Sequence, residues 1–193
     1  MPLALPKAIK SAFFCAALSI SITLPGQAAE TISASDVAGF ASGPLEGDAF
    51  EYRAVLVDVE DGADLYLYTE DTEGRHLAAH AADIVWRGAM FGQRPLLEVS
   101  ENGSLKLSSG NESMGRGRWR QTLTIAYRDN RFLVAGYTLD TWDTLDPKLT
   151  GSCDVNLLTG NAVIDGTRTT VKSMTALPVE EWNMDLQPDE CHE

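Results

Sequence analysis

Five arginines gather in one stretch of an otherwise acidic chain. They are Arg116, Arg118, Arg120, Arg128 and Arg131. Alternate residues of a strand point to the same face, so Arg118 and Arg120 share a face and Trp119 lies on the other. Guanidinium groups bind carboxylates and phosphates through paired hydrogen bonds. The pattern predicts either an anion-binding patch or cross-strand ion pairs with acids such as Glu98 and Asp129.

An early acidic turn is a candidate metal site. Its acids surround a glycine, and they are Asp58, Glu60, Asp61 and Asp64. Calcium takes roughly six to eight oxygen ligands, mostly from carboxylates and carbonyls. The spacing therefore predicts either a calcium-binding loop or a solvated hairpin turn.

A histidine pair could also bind a metal ion. On a helix, His76, His80 and Asp83 would share one face and resemble a two-histidine, one-carboxylate site. On a strand, positions four apart lie about 13 Å apart and cannot bind one ion. The sequence favours a strand at His76 and leaves both readings open.

Repeated acids later in the chain suggest hydrolysis or loop formation. They are Asp140, Asp143, Asp146 and Asp154, with Trp142 among them. Paired carboxylates about 5–9.5 Å apart can hydrolyse glycosides, but Asp-rich segments with Pro147 and Gly151 are also typical of turns. The sequence has neither a Gly-x-Ser-x-Gly nucleophile motif nor a phosphate-binding glycine loop.

The elements that position these residues follow a β pattern. Apolar residues alternate with polar ones from Phe50 onward, and turn residues separate the runs. The Asn102-Gly103 pair between alternating runs is a strong hairpin signal. Residues 76–86 are ambiguous, because their alanines favour a helix. About nine short strands predict an all-β fold, a single antiparallel domain of meandering hairpins arranged as a sandwich, a barrel or blade-like sheets.

The first 28 residues have the layout of a secretory signal peptide. Lys7 and Lys10 precede an apolar run over residues 11–24, and small residues lead up to a cleavage site after Ala28. The run is shorter than the ~20 residues that span a bilayer, which disfavours a membrane anchor. We therefore expect a periplasmic or extracellular protein without an integral membrane segment after cleavage.

Cleavage would leave two of the three cysteines, Cys153 and Cys191. A pair of cysteines in an exported protein predicts a disulfide, with a free redox pair as the alternative. The bridge would stabilise the fold by about 4 kcal/mol in the chain-entropy model. The predicted organisation is a signal peptide over 1–28, a flexible lead-in over 29–48, and a single β domain over 49–193 whose C-terminal tail the disulfide holds.

The charge limits the classes of partner. The net charge is −13, and it becomes about −15 once residues 1–28, with their two lysines, are removed. Nucleic acids and anionic membranes attract basic patches, so both are disfavoured. The composition favours a basic partner or divalent cations, and it points to no cofactor.

Several motifs together resemble a group of exported bacterial proteins of unknown function. The matching segments are residues 58–64, 90–92 (Met-Phe-Gly), 118–119 (Arg-Trp), 135–137 (Ala-Gly-Tyr) and 156–160 (Asn-Leu-Leu-Thr-Gly). In that group the early turn is similar to the calcium loops of integrin-type repeats, and the turn of this chain is one residue shorter. The resemblance implies a β fold and export, and it implies no catalytic residues.

Together these features predict a non-catalytic binding domain for a protein or envelope partner. The oligomeric state stays open. The alternatives are a metal-dependent or carboxylate-based hydrolase and a calcium- or small-ligand-binding protein.

Overall fold

A computed structural model describes residues 32–45 and 51–191. The predicted signal peptide lies outside the described residues. Within them the chain forms twelve strands: β1 (Val37–Pro44), β2 (Glu51–Val59), β3 (Gly62–Asp71), β4 (Gly74–Trp86), β5 (Leu96–Val99), β6 (Leu105–Asn111), β7 (Gly117–Arg128), β8 (Arg131–Asp143), β9 (Thr150–Asn156), β10 (Asn161–Ile164), β11 (Thr167–Thr170) and β12 (Leu177–Pro178). Two short 3₁₀ turns follow, Val179–Glu181 and Asp189–Cys191.

The strands form two antiparallel sheets. The smaller sheet has the order β1-β2-β3-β4, and the larger has the order β11-β10-β9-β8-β7-β6-β5, with β12 paired to β8. Strands that follow one another in sequence are neighbours within each sheet, as expected for meandering hairpins. The predicted all-β fold is therefore confirmed. The ambiguous segment 76–86 is a strand and belongs to β4.

The inward faces of both sheets meet in one core. Leu56 and Leu65 of the smaller sheet and Leu123 and Tyr137 of the larger one belong to the same buried cluster. Leu123 and Tyr137 face each other across β7 and β8, and their row continues to Leu107 on β6 and Val155 on β9. Burying each such side chain contributes about 1.5–3 kcal/mol to stability. The alternating apolar residues of the two sheets therefore stabilise the fold by packing against each other.

Local residue choice explains the tight turns. The predicted Asn102-Gly103 hairpin joins β5 to β6, and Gly103 has a φ of +81°. Asp129 and Asn130, between β7 and β8, both have positive φ values of 51° and 60°. Two positive φ values in a two-residue turn match the twist of the flanking strands. Asn and Asp tolerate this backbone region better than other non-glycine residues.

The predicted flexible lead-in differs from the structure. Residues 37–44 within it form β1, which pairs with β2 from Val37 to Pro44. The small residues of this segment suggest flexibility, but β2 offers it a complete edge to pair with. Ala38 and Ala41 also pack against the core. Non-local hydrogen bonds and packing thus override local composition.

The C-terminal tail is held on the larger sheet at several points. Cys153 of β9 and Cys191 form the predicted disulfide. Trp182 is 1% exposed and packs beside Tyr137, as expected for a tail that closes over the core. The Glu190 carboxylate accepts hydrogen bonds from the Lys172 amide and from Ser173. These contacts pack the C-terminal tail against the domain as part of its core and hydrogen-bond network.

No helix within residues 32–45 and 51–191 is long and apolar enough to cross a membrane.

The disulfide generates a stability prediction. Replacing both Cys153 and Cys191 with alanine should lower the free energy of unfolding by about 2–4 kcal/mol, because the bridge restricts the unfolded chain. Urea denaturation under non-reducing conditions would measure this difference. Wild-type protein in a reductant should lose a similar amount. Equal midpoints for the variant and the oxidised wild type would contradict the prediction.

Glu190 generates a pH prediction. The Lys172 amide, followed by the Ser173 side chain, lowers the pKa of Glu190 to about 2. A lowered carboxylate pKa stabilises the fold above its usual value, and this stability is lost as the pH falls toward the folded-state pKa. Glu190→Gln should therefore lower the melting temperature at pH 7, and the difference from wild type should vanish near pH 2.

The matched control is Glu181→Gln, which changes an exposed glutamate of the same tail. Its melting temperature should follow that of wild type at every pH. A Glu190→Gln deficit that persists unchanged at pH 2 would show that the carboxylate charge is not the cause.

Candidate functional site

The arginine stretch is divided between the two ends of one long hairpin. The β7–β8 ladder runs from the Gly117–Asp143 pair to the Arg128–Arg131 pair at the turn. Arg128 lies eight positions after Arg120, a distance of about 26 Å along a strand. The five arginines therefore do not form one continuous patch. They are close in sequence, but the length of the strands keeps the two groups apart.

Two arginines at the open end of this hairpin are ion-paired. Both nitrogens of the Arg120 fork, Nε and Nη2, donate to Glu112, at 2.8 and 2.6 Å. This bidentate hydrogen bonding lowers the pKa of Glu112 and raises that of Arg120. Arg116 donates to Asp143. The acids are thus Glu112 and Asp143, instead of the Glu98 and Asp129 suggested by sequence.

At the turn, Arg128 donates to the carbonyl oxygen of Tyr127 at 2.9 Å. Arg131 is exposed at the first position of β8. This pair of arginines flanks a solvent-facing turn.

Arg118 is the exception among the three arginines at the open end. Its Nε and Nη1 atoms are enclosed by protein and have no hydrogen-bond partner among the described residues. Its cross-strand neighbour is Trp142, a residue without charge. The guanidinium therefore lacks the acid that its two neighbours have.

The acids of the early turn do not converge on one point. Asp58 binds Arg87 at 2.8 Å, whereas Asp64 lies near His80 at 3.2 Å and accepts the Asp83 amide. Asp58 pairs with Ala63 and Asp64 with Val57, one register position apart, so the two side chains point to opposite faces of the sheet. Glu60 and Asp61 remain exposed at the tip of the turn.

The described residues contain no group of three or more His, Cys, Asp or Glu side chains that could hold a metal ion. The two histidines of β4 have other contacts. His76 lies 2.9 Å from Asp71, and the His80 ring stacks on Tyr66 with centroids 4.3 Å apart. On a strand these histidines are too far apart to bind one ion.

Asp143 and Asp146 build the loop between β8 and β9. The Asp143 carboxylate accepts the amides of Leu145 and Asp146, and Asp146 accepts the amide of Lys148. Burial raises the pKa of Asp143, but these amides and Arg116 outweigh it, so the net shift is downward. Such side-chain-to-backbone bonds are the ordinary chemistry of an Asp-rich turn. Two of the four acids considered as catalysts, Asp143 and Asp146, therefore act as loop formers, whereas Asp140 lies on β8 and Asp154 on β9.

The structure also reveals an apolar surface that sequence reasoning missed. We define the loop patch as Met90, Phe91 and Met114, which lie on the loops before β5 and before β7. All three are exposed, and Phe91 is 97% exposed. Glu112 donates its amide to the carbonyl oxygen of Gly92 at 3.2 Å, which joins the two loops. Adjacent large apolar residues inside a loop rich in Gly and Pro were the available signal.

A buried amide holds the loop patch in place. Gln93 is 8% exposed; its Nε2 donates to Asn111 Oδ1 at 2.9 Å, and its Oε1 accepts the Met90 amide. Asn111 in turn binds Met114, donating to its carbonyl oxygen at 2.8 Å and accepting its amide at 3.0 Å. The exposed apolar side chains therefore project from loops that a polar network fixes.

Comparison with protein-family models, with curated protein sequences and with solved structures finds no match for this chain. Inference about function therefore depends on the side-chain geometry of the described residues. That geometry points to the open end of the β7–β8 hairpin, where Arg118 and the loop patch lie.

The buried network generates a prediction about loop rigidity. Gln93→Leu keeps the side-chain size but leaves the Met90 amide without its acceptor and removes the donor to Asn111 Oδ1, which then binds only the Met114 amide. Losing a buried hydrogen-bond partner costs about 1–3 kcal/mol. We expect a lower midpoint in urea and faster hydrogen exchange at the amides of Met90 and Met114.

The control for this variant is Arg94→Ala, a change at an exposed neighbour in the same loop. It should leave the exchange rates and the midpoint near those of wild type. Wild-type exchange rates in Gln93→Leu would mean that the network does not hold the loops.

Proposed function

We propose that this protein is an exported, non-catalytic binding domain that contacts a protein partner in the cell envelope through the loop patch. The observation that carries the proposal is Phe91, 97% exposed on a loop that the buried Gln93 network fixes. Export is supported by the signal-like residues 1–28 and by the disulfide, which is typical of oxidising compartments.

The composition of the loop patch suits a protein interface. Phe and Met are enriched at the centres of such interfaces, together with Arg. Arg116 lies in the loop that carries Met114, and Arg120 lies on β7 just after that loop. Leu145 and Leu149 add exposed apolar surface on the next loop, which Thr144 ties to Arg116 by an amide-to-carbonyl bond of 3.1 Å. Three connected loops thus present apolar anchors with charged residues beside them.

Rigidity strengthens this reading. A loop that is already ordered loses less conformational entropy when it binds, so preformed anchors raise affinity. An apolar side chain on a flexible loop could fold back against the protein, whereas Phe91 is held outward by neighbours that are themselves bonded. The hydrogen bonds of the buried Gln93 side chain thus hold the loop in a conformation that leaves Phe91 exposed to solvent.

The alternative of hydrolysis has weaker support. Asp143 and Asp146 are committed to loop amides, and His76 and His80 each contact an aspartate on the smaller sheet. The acids of the early turn point to opposite faces of their sheet. These contacts give Asp143, Asp146, His76 and His80 structural roles that require no reaction.

Site-specific photocrosslinking tests the proposal. A photoreactive amino acid at Met114 should crosslink to one partner in intact envelopes, and the Phe91→Ser change should abolish that product. Removing a central aromatic anchor typically costs at least about 2 kcal/mol, or some 30-fold in affinity. The purified partner should then bind wild type and lose about that factor with Phe91→Ser.

Phe40→Ser is the matched control, because Phe40 is also highly exposed, at 82%, but lies on β1 of the smaller sheet. It should bind the partner like wild type. Equal loss in Phe40→Ser and Phe91→Ser, or full binding by Phe91→Ser, would overturn the role of the loop patch.

A further inference from the structure

Arg118 is a charged group without a counter-charge in a protein that has many acids to offer. Its neighbours in sequence, Arg116 and Arg120, bind Asp143 and Glu112. The Nε and Nη1 atoms of Arg118 have no partner among the described residues. Leaving a partly buried charge unpaired is costly, and most buried polar groups in native proteins have a partner. Because Nε and Nη1 are enclosed, a ligand would contact the third nitrogen of the guanidinium, Nη2, and supply the missing charge there.

The sheet places neutral residues around this guanidinium. Arg118 on β7 stands opposite Trp142 on β8, and Trp142 stands opposite Thr150 on β9. Two positions along β7, Arg120 stands opposite Asp140. Arg118 therefore faces an indole and a hydroxyl across the sheet, whereas Arg120, on the same face of β7, stands opposite an acid.

These residues line an open cavity of about 300 Å³. Its walls include Arg118, Trp142, Lys148, Leu149 and Thr150. Asp143 also borders the cavity, but its carboxylate already binds Arg116 and two loop amides. Lys148 has no ion pair within the described part of the chain. The cavity therefore combines two uncompensated cations with an indole, a leucine and a hydroxyl.

We propose that this cavity binds a carboxylate carried on an apolar group. The carboxylate would lie between Arg118 and Lys148, with the Thr150 hydroxyl beside it, and the apolar group would pack on Trp142 and Leu149. Charge-assisted hydrogen bonds to guanidinium are strong and directional. The indole and leucine favour an acid with an apolar side over inorganic phosphate, which is hydrated on all sides.

Two sources share this chemistry, a free aromatic or aliphatic acid and the C-terminal end of a polypeptide. The site does not depend on the loop patch, since none of Met90, Phe91 and Met114 lines the cavity. The two proposals can therefore fail separately.

Nuclear magnetic resonance titration of the ¹⁵N-labelled protein tests the site. The probes are N-acetylphenylalanine, its amide, inorganic phosphate and the tripeptide Ala-Ala-Phe with a free carboxyl group. We expect saturable shifts of the Arg118 Nε–H signal and the Trp142 indole signal with the two apolar acids. The amide should not bind, and phosphate should bind at least about tenfold more weakly, because it gains no apolar contact.

Variants locate the binding. Arg118→Gln should weaken N-acetylphenylalanine binding at least about tenfold, since it removes a charge-assisted hydrogen bond. Lys148→Gln alters an exposed side chain, so it keeps the test valid even if Arg118→Gln folds poorly, and it should weaken binding several-fold. Arg128→Gln, at the far end of the hairpin, and Phe91→Ser should leave the affinity unchanged.

The titrations distinguish the two ligand sources from each other and from failure of the proposal. Tighter binding of the tripeptide would identify a polypeptide end as the source, and equal binding would identify a free acid. Equal binding of the amide, unchanged affinity in both Arg118→Gln and Lys148→Gln, or no saturable shift with either apolar acid would overturn the proposal.

Discussion

The long ladder between β7 and β8 is the constraint on which the rest of the structure depends. The antiparallel pairing continues from the turn at Asp129 to the Gly117–Asp143 pair, with one register shift near Ile125. Its inward residues, such as Leu123 and Tyr137, join the core. Its open end fixes where the loop before β7 ends and where the loop after β8 begins. The candidate binding residues are therefore positioned by a rigid sheet rather than by the loops alone.

The two faces of this ladder have different tasks. On the inward face, Tyr137 contacts Trp182, and its hydroxyl donates to Gln187, while Cys153 on the next strand holds Cys191. On the outward face, Arg118, Trp142 and Thr150 form a row toward solvent. Because alternate residues of a strand point to opposite faces, the same strands anchor the tail on one face and carry the residues of the proposed ligand site on the other.

Local patterns made the fold largely predictable from the sequence. The Asn102-Gly103 turn and the alternation along β7 are local sequence patterns. The disulfide follows from the even number of cysteines that remain after the signal-like segment. β1 was missed because its stability comes from pairing with β2, which small residues such as Gly39 and Ser42 do not reveal. Where the partner strand decides the structure, composition is a weak guide.

The site was predictable only in part, because it depends on non-local geometry. The sequence shows that the arginines are concentrated in one stretch, but their division into two groups follows from the length of β7, which continues to Arg128. The loop patch depends on a hydrogen bond between Gln93 and Asn111, residues eighteen apart in sequence. A sequence shows that both residues are polar, but it does not show that they meet.

Electrostatics adds a selective argument about Arg118. The ten arginines of this chain all lie within the described residues, and nine of them are either paired with an acid or, like Arg94, Arg128, Arg131 and Arg168, exposed to solvent. Arg53, Arg75, Arg87, Arg116 and Arg120 each lie within ion-pair distance of an acid. A guanidinium that is enclosed beside an indole, with a second free cation on the same cavity, departs from this pattern in the direction that costs stability. Sites of ligand binding are where such departures are expected, since a charge left uncompensated in the free protein is available to the ligand.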